Sequence, residues 1–266
     1  MKAGERMKTV NLRTSFAIAQ RYLYTLARDR WLLFEMFYWP AFDIALYGYV
    51  SAWIGGPSTT CTVVSAVVFW HAMLQANFAV ARNFLGELTS GGITNLFATT
   101  LSLREWIAGC AMLVVPISMV VFCLCNVVSY LVFGCLPLAI GLITIPLLTL
   151  LMVNALSLGL ISATLLTQFG LRVQATIFII GWALALAGGA YYPIGLLPSI
   201  VQNAARLTPL PYLFAIIRTP DAVTHTVLQN ITMAAALSLA YLALAILIFR
   251  ATFRRSLRYG LARLTF

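Results

Sequence analysis

From Trp106 to Leu171 the chain runs for 66 residues without one Asp, Glu, Lys, Arg or His. A single membrane-crossing helix takes about 20 residues. The run therefore holds at least two crossings, and the glycine and proline of "GCLP" (Gly134 to Pro137) mark the break between them. The rest of the chain agrees. Of 266 residues, 62% are hydrophobic and 9% are charged, with a mean hydropathy of +0.94. A soluble domain carries about a quarter charged residues. This chain has too little polar surface to cover itself in water, so its bulk belongs in lipid.

The first apolar run starts at Trp31 and is long enough to span, unlike the short core of a cleaved signal peptide. The apolar runs place six spans near residues 31–53, 61–81, 106–133, 138–166, 175–192 and 226–249. An even number puts both termini on one side. Fifteen of the 17 Lys and Arg residues fall on that side: those between Lys2 and Arg30, then Arg82, Arg104 and Arg172, then those from Arg250 onward. Arg206 and Arg218 fall on the other. By the positive-inside rule both termini are cytoplasmic. The net charge of +10 is then an orientation signal and an attraction to anionic headgroups, and calls for no nucleic acid. The expected division is a cytoplasmic N-terminus (1–30), a transmembrane domain (31–249) and a basic cytoplasmic tail (250–266).

Ahead of the first span lies "NLRTSFAIAQRYLYTLARDR". Leu12, Phe16, Ala19, Leu23 and Leu26 recur there at helical spacing, with Arg13, Gln20, Arg21 and Arg28 opposite. This reads as an amphipathic helix in the cytoplasmic interface. An amphipathic helix packed on other protein is the alternative.

The cysteines are Cys61, Cys110, Cys123, Cys125 and Cys135. They lack Cys-x-x-Cys spacing, so no metal site is expected. All sit in or beside apolar runs and read as small hydrophobes, with a Cys61–Cys135 bridge on the outer face disfavoured.

Ionisable groups inside spans are costly. Glu35 lies near the cytoplasmic end of the first span, in reach of water or of Arg30. Asp43 stands twelve residues past Trp31, about 18 Å along the helix. His71 stands ten residues past Cys61 on a span running the other way, about 15 Å from the outer face. The depths match, so one reading pairs Asp43 with His71, lining a transport path. The other leaves a protonated Asp43 satisfied by a neighbouring hydroxyl or backbone carbonyl. Gln75, Asn77, Asn126 and Asn154 read as interhelical hydrogen-bond partners.

Two segments carry more than hydrophobicity. The connection between the second and third expected spans reads "RNFLGELTSGGITNLFATTLSLREW", with Ile93, Leu96, Phe97 and Leu101 at helix-like spacing; a short helix on the cytoplasmic surface and a linker folded on its own bundle fit it equally. Before the last span comes "AYYPIGLLPSIVQNAARLTPLPYL", crowded with Pro193, Pro198, Pro209 and Pro211. Both resemble the corresponding segments of ABC type-2 exporter permeases. Together they cover about a fifth of the chain. Thr100 stands where that family often has Pro, and Thr208 where it often has Asn.

The resemblance implies a coupling segment at 82–105 that docks on a separate P-loop ATPase, with Glu87, Thr94, Asn95, Leu96 and Phe97 meeting it. It also implies short re-entrant helices within 191–222, forming an outer gate with Tyr191, Tyr192, Pro193, Pro198 and Pro209. Irregular backbone at membrane depth survives only when buried in protein or lining a watery cavity, and broken half-helices satisfy that rule. A plain outer loop with interfacial tyrosines is the alternative. Tyr191, Tyr192 and Pro193 are expected to end the fifth span early.

A P-loop needs a lysine after its glycines, and the lysines here are Lys2 and Lys8 in the polar N-terminus. This chain is not expected to be an enzyme; ATP and Mg would be held by the partner subunit. The expected fold class is thus an all-α integral membrane protein with six transmembrane helices, an N-terminal interfacial helix and re-entrant helices before the last span. The expected function is the permease subunit of an ATP-driven exporter in a bacterial inner membrane, paired with a second permease chain (a homodimer favoured). Its cargo would be amphipathic: a lipid-like molecule, a drug or a glycan. The rival reading is an ion-driven secondary transporter, which should show internal repeats and ionisable residues on several spans.

Overall fold

The computed structural model describes residues 11–90, 101–219 and 224–259. Among these residues there are eight α-helices and no strand. Helix α1 (Leu12–Arg28) starts where the Asn11 side chain accepts the Arg13 N–H at 3.0 Å. It ends at Asp29, whose backbone is extended and whose carboxylate caps the next helix by accepting the Leu32 N–H at 3.0 Å. One residue therefore stops α1 and starts α2.

Helix α2 (Arg30–Thr89) has 60 residues, about 90 Å if it were straight and three times a bilayer core. It is not straight. Gly56 has φ 76° and ψ −173°, a conformation that favours glycine, and Pro57 follows it. The chain folds back there, so residues 30–55 and 57–89 form two limbs. The limbs touch: side chains 28 and 47 residues apart in sequence are hydrogen-bonded across them. The expected loop between 53 and 61 is thus a break at one glycine, because helix on both sides runs up to it.

Helix α3 (Leu103–Phe133) opens with a capping box between Ser102 and Glu105. A 3₁₀ turn over Pro137–Ile140 leads to α4 (Thr144–Phe169), which starts six residues later than its expected span because Pro137 lies in that turn. A second 3₁₀ turn precedes α5 (Thr176–Gly188). Then come two short helices, α6 (Ser199–Arg206) and α7 (Leu210–Arg218), and finally α8 (Thr224–Tyr259).

Among the described residues four helical segments are long and apolar enough to cross a membrane: Arg30–Thr89, Leu103–Phe133, Thr144–Val173 and His225–Ser256. The helix in the fifth expected span is shorter than the 175–192 read from the sequence. It has 13 residues, about 20 Å, short of a core of about 30 Å. It stops before Tyr191 and Tyr192, because Gly189 takes a left-handed cap (φ 79°).

The second limb of α2 is the centre of the bundle, with Val64 to Leu74 almost wholly covered. Hydrogen bonds hold neighbours to each other: Ser118 Oγ donates to the Ala72 carbonyl, and Asn154 Nδ2 donates to Ser238 Oγ. Asn126 instead holds a turn, accepting the Leu138 N–H. Asn77 Oδ1 has no partner, so it is not the interhelical bond expected of it. The helix ends gather at two poles. α1, the end of α2, the start of α3 and the end of α8 meet at one pole, around an aromatic group of Phe84, Trp106, Phe249 and Phe253. Cys61 and Cys135 meet at the other.

Candidate functional site

Midway along the first limb of α2, Asp43 is buried and aimed at the second limb. Its Oδ2 lies 2.9 Å from His71 Nε2 and accepts the Tyr191 hydroxyl at 3.3 Å. Tyr47 stacks on Tyr191 with ring centroids 4.2 Å apart, and Trp182 presents its edge to His71. His71 Nδ1 is buried without a hydrogen-bond partner. One carboxylate oxygen thus joins three parts of the chain: both limbs of α2 and the turn after α5. The structure brings Asp43 and His71 together and adds Tyr191, which the sequence places only at the outer gate.

At the arginine-rich pole α1 is held by specific bonds. Trp106 Nε1 donates to the Tyr22 hydroxyl at 2.9 Å, the Asn11 N–H donates to Glu105, and Arg21 pairs with Glu87 at 2.6 Å. Burial pushes the Tyr22 phenol well above its ordinary pKa, so it stays a neutral hydroxyl. Leu12 and Phe16 remain exposed beside the packed stripe of Ser15, Ile18, Ala19 and Tyr22. The helix therefore packs on protein along one stripe and leaves an apolar stripe next to it. Glu35 does not pair with Arg30; it accepts from Arg82 at 2.7 Å. The Arg82 guanidinium also sits over the rings of Phe78 and Phe178, at 5.4 and 5.2 Å.

Glu87, expected to face a partner, is buried, and its carboxylate is taken by Arg21. It reaches α1 because the second limb of α2 runs as helix to Thr89. Thr94, Asn95, Leu96 and Phe97 lie outside the described residues. Between α1 and the limbs of α2 a polar cleft of about 430 Å³ opens, with Arg21, Asp29, Arg82, Asn83 and Glu87 in its wall.

At the opposite pole Cys61 and Cys135 form a disulfide, 74 residues apart. The sequence leaves this bridge possible but disfavours it; the break at Gly56 and the end of α3 bring the two cysteines together. Cys110, Cys123 and Cys125 are free. After α5 the expected gate residues serve as helix starters. Pro193 precedes a 3₁₀ turn, Pro198 caps α6 and Pro209 caps α7, while Tyr192 packs half-buried. Arg218 closes the segment by donating to the carbonyls of Gly189 and Ala190.

The outward face of the first limb is aromatic for its whole length. Trp31, Phe34, Tyr38, Trp39, Phe42 and Tyr49 are all exposed, and rings from Trp31 to Phe42 contact one another in series. An apolar groove of about 710 Å³ also opens sideways between α3 and α4. Among the described residues no group of three His, Cys, Asp or Glu side chains is placed to hold a metal ion.

The sequence offers Arg82 and Arg218 only as orientation charges and does not single out Tyr47. Arg82 carries a readable signal, being a charge at the end of a span; Arg218 and Tyr47 act through tertiary contacts that spacing does not reveal. In comparisons with known proteins, no family model matches this chain and no curated protein is significantly similar to it.

Proposed function

We propose that this chain is the membrane-embedded permease subunit of an ATP-driven exporter, working beside a second copy and driven by a separate P-loop ATPase. The observation that carries this reading is the outward face of the first limb. Trp and Tyr normally mark the two edges of a bilayer. Tyr38 and Trp39 instead stand seven and eight residues past Trp31, about 11 and 12 Å into the helix. Their polar atoms make no hydrogen bond among the described residues, and both side chains are exposed. A hydroxyl and an indole N–H left facing hydrocarbon go unsatisfied. A second chain across a wet pathway gives them partners. Rings with polar heads also suit a cargo with both apolar and hydroxylated faces, such as a lipid-linked or glycan molecule.

In this reading the chain crosses six times. The limbs of α2 count as two, and α5 together with the turn, α6 and α7 forms a short, re-entrant fifth element. The arginine-rich pole is cytoplasmic. The disulfide at the far pole agrees with that orientation, since disulfides persist on the oxidising side of a membrane. The segment 82–105 is the grip for the ATPase, with Glu87 acting through α1 and Thr94 to Phe97 as the contact. Expressed with its genomic neighbours and purified in mild detergent, the chain should bring down a P-loop protein in roughly equal amount. Purification with no such protein, from cells shown to contain one, counts against the assignment.

A second reading is favoured by one observation. The Asp43, His71 and Tyr191 junction is what an ion-driven carrier would place at mid-membrane. Proteoliposomes separate the two: a carrier moves cargo with a pH or Na⁺ gradient and no nucleotide, whereas the exporter subunit does not.

A further inference from the structure

Two polar rungs join the limbs of α2: Asp43 with His71, and Glu35 with Arg82. Gln75 stands between them on the second limb, one turn from His71 and two from Arg82. That spacing puts His71, Gln75 and Arg82 on one face, the face turned to the first limb. Gln75 is 5% exposed, yet its amide makes no hydrogen bond to another described residue. The amide is not sealed in protein either, as Asn77 Oδ1 and His71 Nδ1 are. A covered amide at such a place is costly unless something other than protein satisfies it.

The space beside Gln75 limits what that can be. A crevice opens there between the limbs, walled by Leu32 and Met36 of the first and by Gln75, Phe78 and Arg82 of the second. It leaves about 10 Å³ for the centre of a water molecule, which is room for one water and for nothing larger. An internal water takes about two to four hydrogen bonds. Gln75 offers its amide from one side. Arg82 comes from the other, because a helical side chain leans back over the turn before it. Its guanidinium lies over the Phe78 ring at 5.4 Å, gives one nitrogen to Glu35 and keeps further N–H donors. The crevice also shares Leu32, Ala79 and Arg82 with the wall of the polar cleft, so solvent in the cleft supplies a third partner.

We propose that this crevice holds one ordered water, bound by the Gln75 amide and the Arg82 guanidinium. The water supplies the hydrogen bonds that the limbs do not make to each other between their two rungs. It also carries the polar cleft inward to one helical turn from His71, so that solvent approaches the Asp43 junction from the arginine-rich pole. The site depends neither on the cargo nor on whether the protein works as an exporter subunit or a carrier.

Radiolytic footprinting of the full chain in nanodiscs tests it. A short X-ray pulse makes hydroxyl radicals from water in place, and a scavenger removes those formed in bulk. A covered methionine is then oxidised only beside a bound water. Two methionines of the same limb pair serve as probe and control. Met36 lines the crevice and is 6% exposed, whereas Met73 is 0% exposed and does not line it. In the wild type Met36 should be oxidised and Met73 spared, as read by peptide mass. Gln75→Leu removes the amide at similar volume and breaks no hydrogen bond to protein. It should abolish Met36 oxidation without lowering thermal stability. A wild-type Met36 as silent as Met73 overturns the proposal, and that comparison needs no variant to fold. Met36 oxidation that persists undiminished in Gln75→Leu overturns it equally.

Discussion

Replacing Asp43 with leucine should be among the most damaging single changes in the bundle. Asp43 Oδ2 serves two donors, His71 Nε2 at 2.9 Å and the Tyr191 hydroxyl at 3.3 Å. All three side chains are buried. Leucine fills similar space but accepts nothing, so both donors are stranded. Each stranded buried donor costs about 1–3 kcal/mol, which gives about 2–6 kcal/mol for the variant. Asp43→Asn keeps an acceptor of the same size and should cost about 1 kcal/mol. The informative variant is the pair Asp43→Leu with His71→Leu. It removes one of the two stranded donors, and His71 Nδ1 had no partner to lose. The double variant should therefore recover about half of the loss and be less destabilised than Asp43→Leu alone. The assay is unfolding in mixed micelles by titration with a denaturing detergent, followed by tryptophan fluorescence. Additive losses in the double variant, or an Asp43→Leu protein as stable as the wild type, would refute a hydrogen-bonded junction.

Other outcomes follow from the remaining geometry. Alkylation after unfolding without reductant should modify three cysteines, and five when reductant is added, as read by intact mass; Cys61→Ser should raise the first number to four. Reduction should lower stability by up to about 4 kcal/mol, the entropic ceiling for a closed loop of this length. Arg82→Ala leaves the partly buried Glu35 unpaired and removes two ring contacts, so it should cost about 1–3 kcal/mol, with Arg82→Lys recovering only part of it. Tyr38→Leu and Trp39→Leu should leave detergent stability within about 0.5 kcal/mol, because both residues are exposed, while reducing pairing of copies in the membrane.

Some of this was legible in the sequence and some was not, for definite reasons. The bilayer class follows from uncharged runs, which have few other uses. The N-terminal helix follows from periodicity, although the stripe that packs is centred on Ser15, Ile18 and Tyr22, with Leu12 and Phe16 at its open flank. The meeting of Asp43 and His71 is compatible with their matched depths, because two antiparallel limbs turn depth into proximity. Tyr191 was out of reach of that reasoning, since its depth depends on where α5 stops. Sequence nearness offers Glu35 only water or Arg30. Residues five apart lie on different faces of a helix, so Arg30 is poorly placed and Arg82, on the other limb, is well placed. The disulfide needed the break at Gly56, which composition does not announce. Glu87 looked free because nothing local reveals that α1 folds back over it.

The claim at the centre of the account is that the aromatic face of the first limb looks across a pathway at a second copy of the same chain. Phe42→Cys in a Cys123→Ser background places one accessible thiol on that face, since Cys110 and Cys125 are buried and Cys61 and Cys135 are bridged. Treated in native membranes with a short bis-maleimide, this variant should run at twice the monomer mass, and a control cysteine at the exposed Leu244 of α8 should not. A Phe42→Cys protein that stays monomeric while the α8 control cross-links would contradict the account.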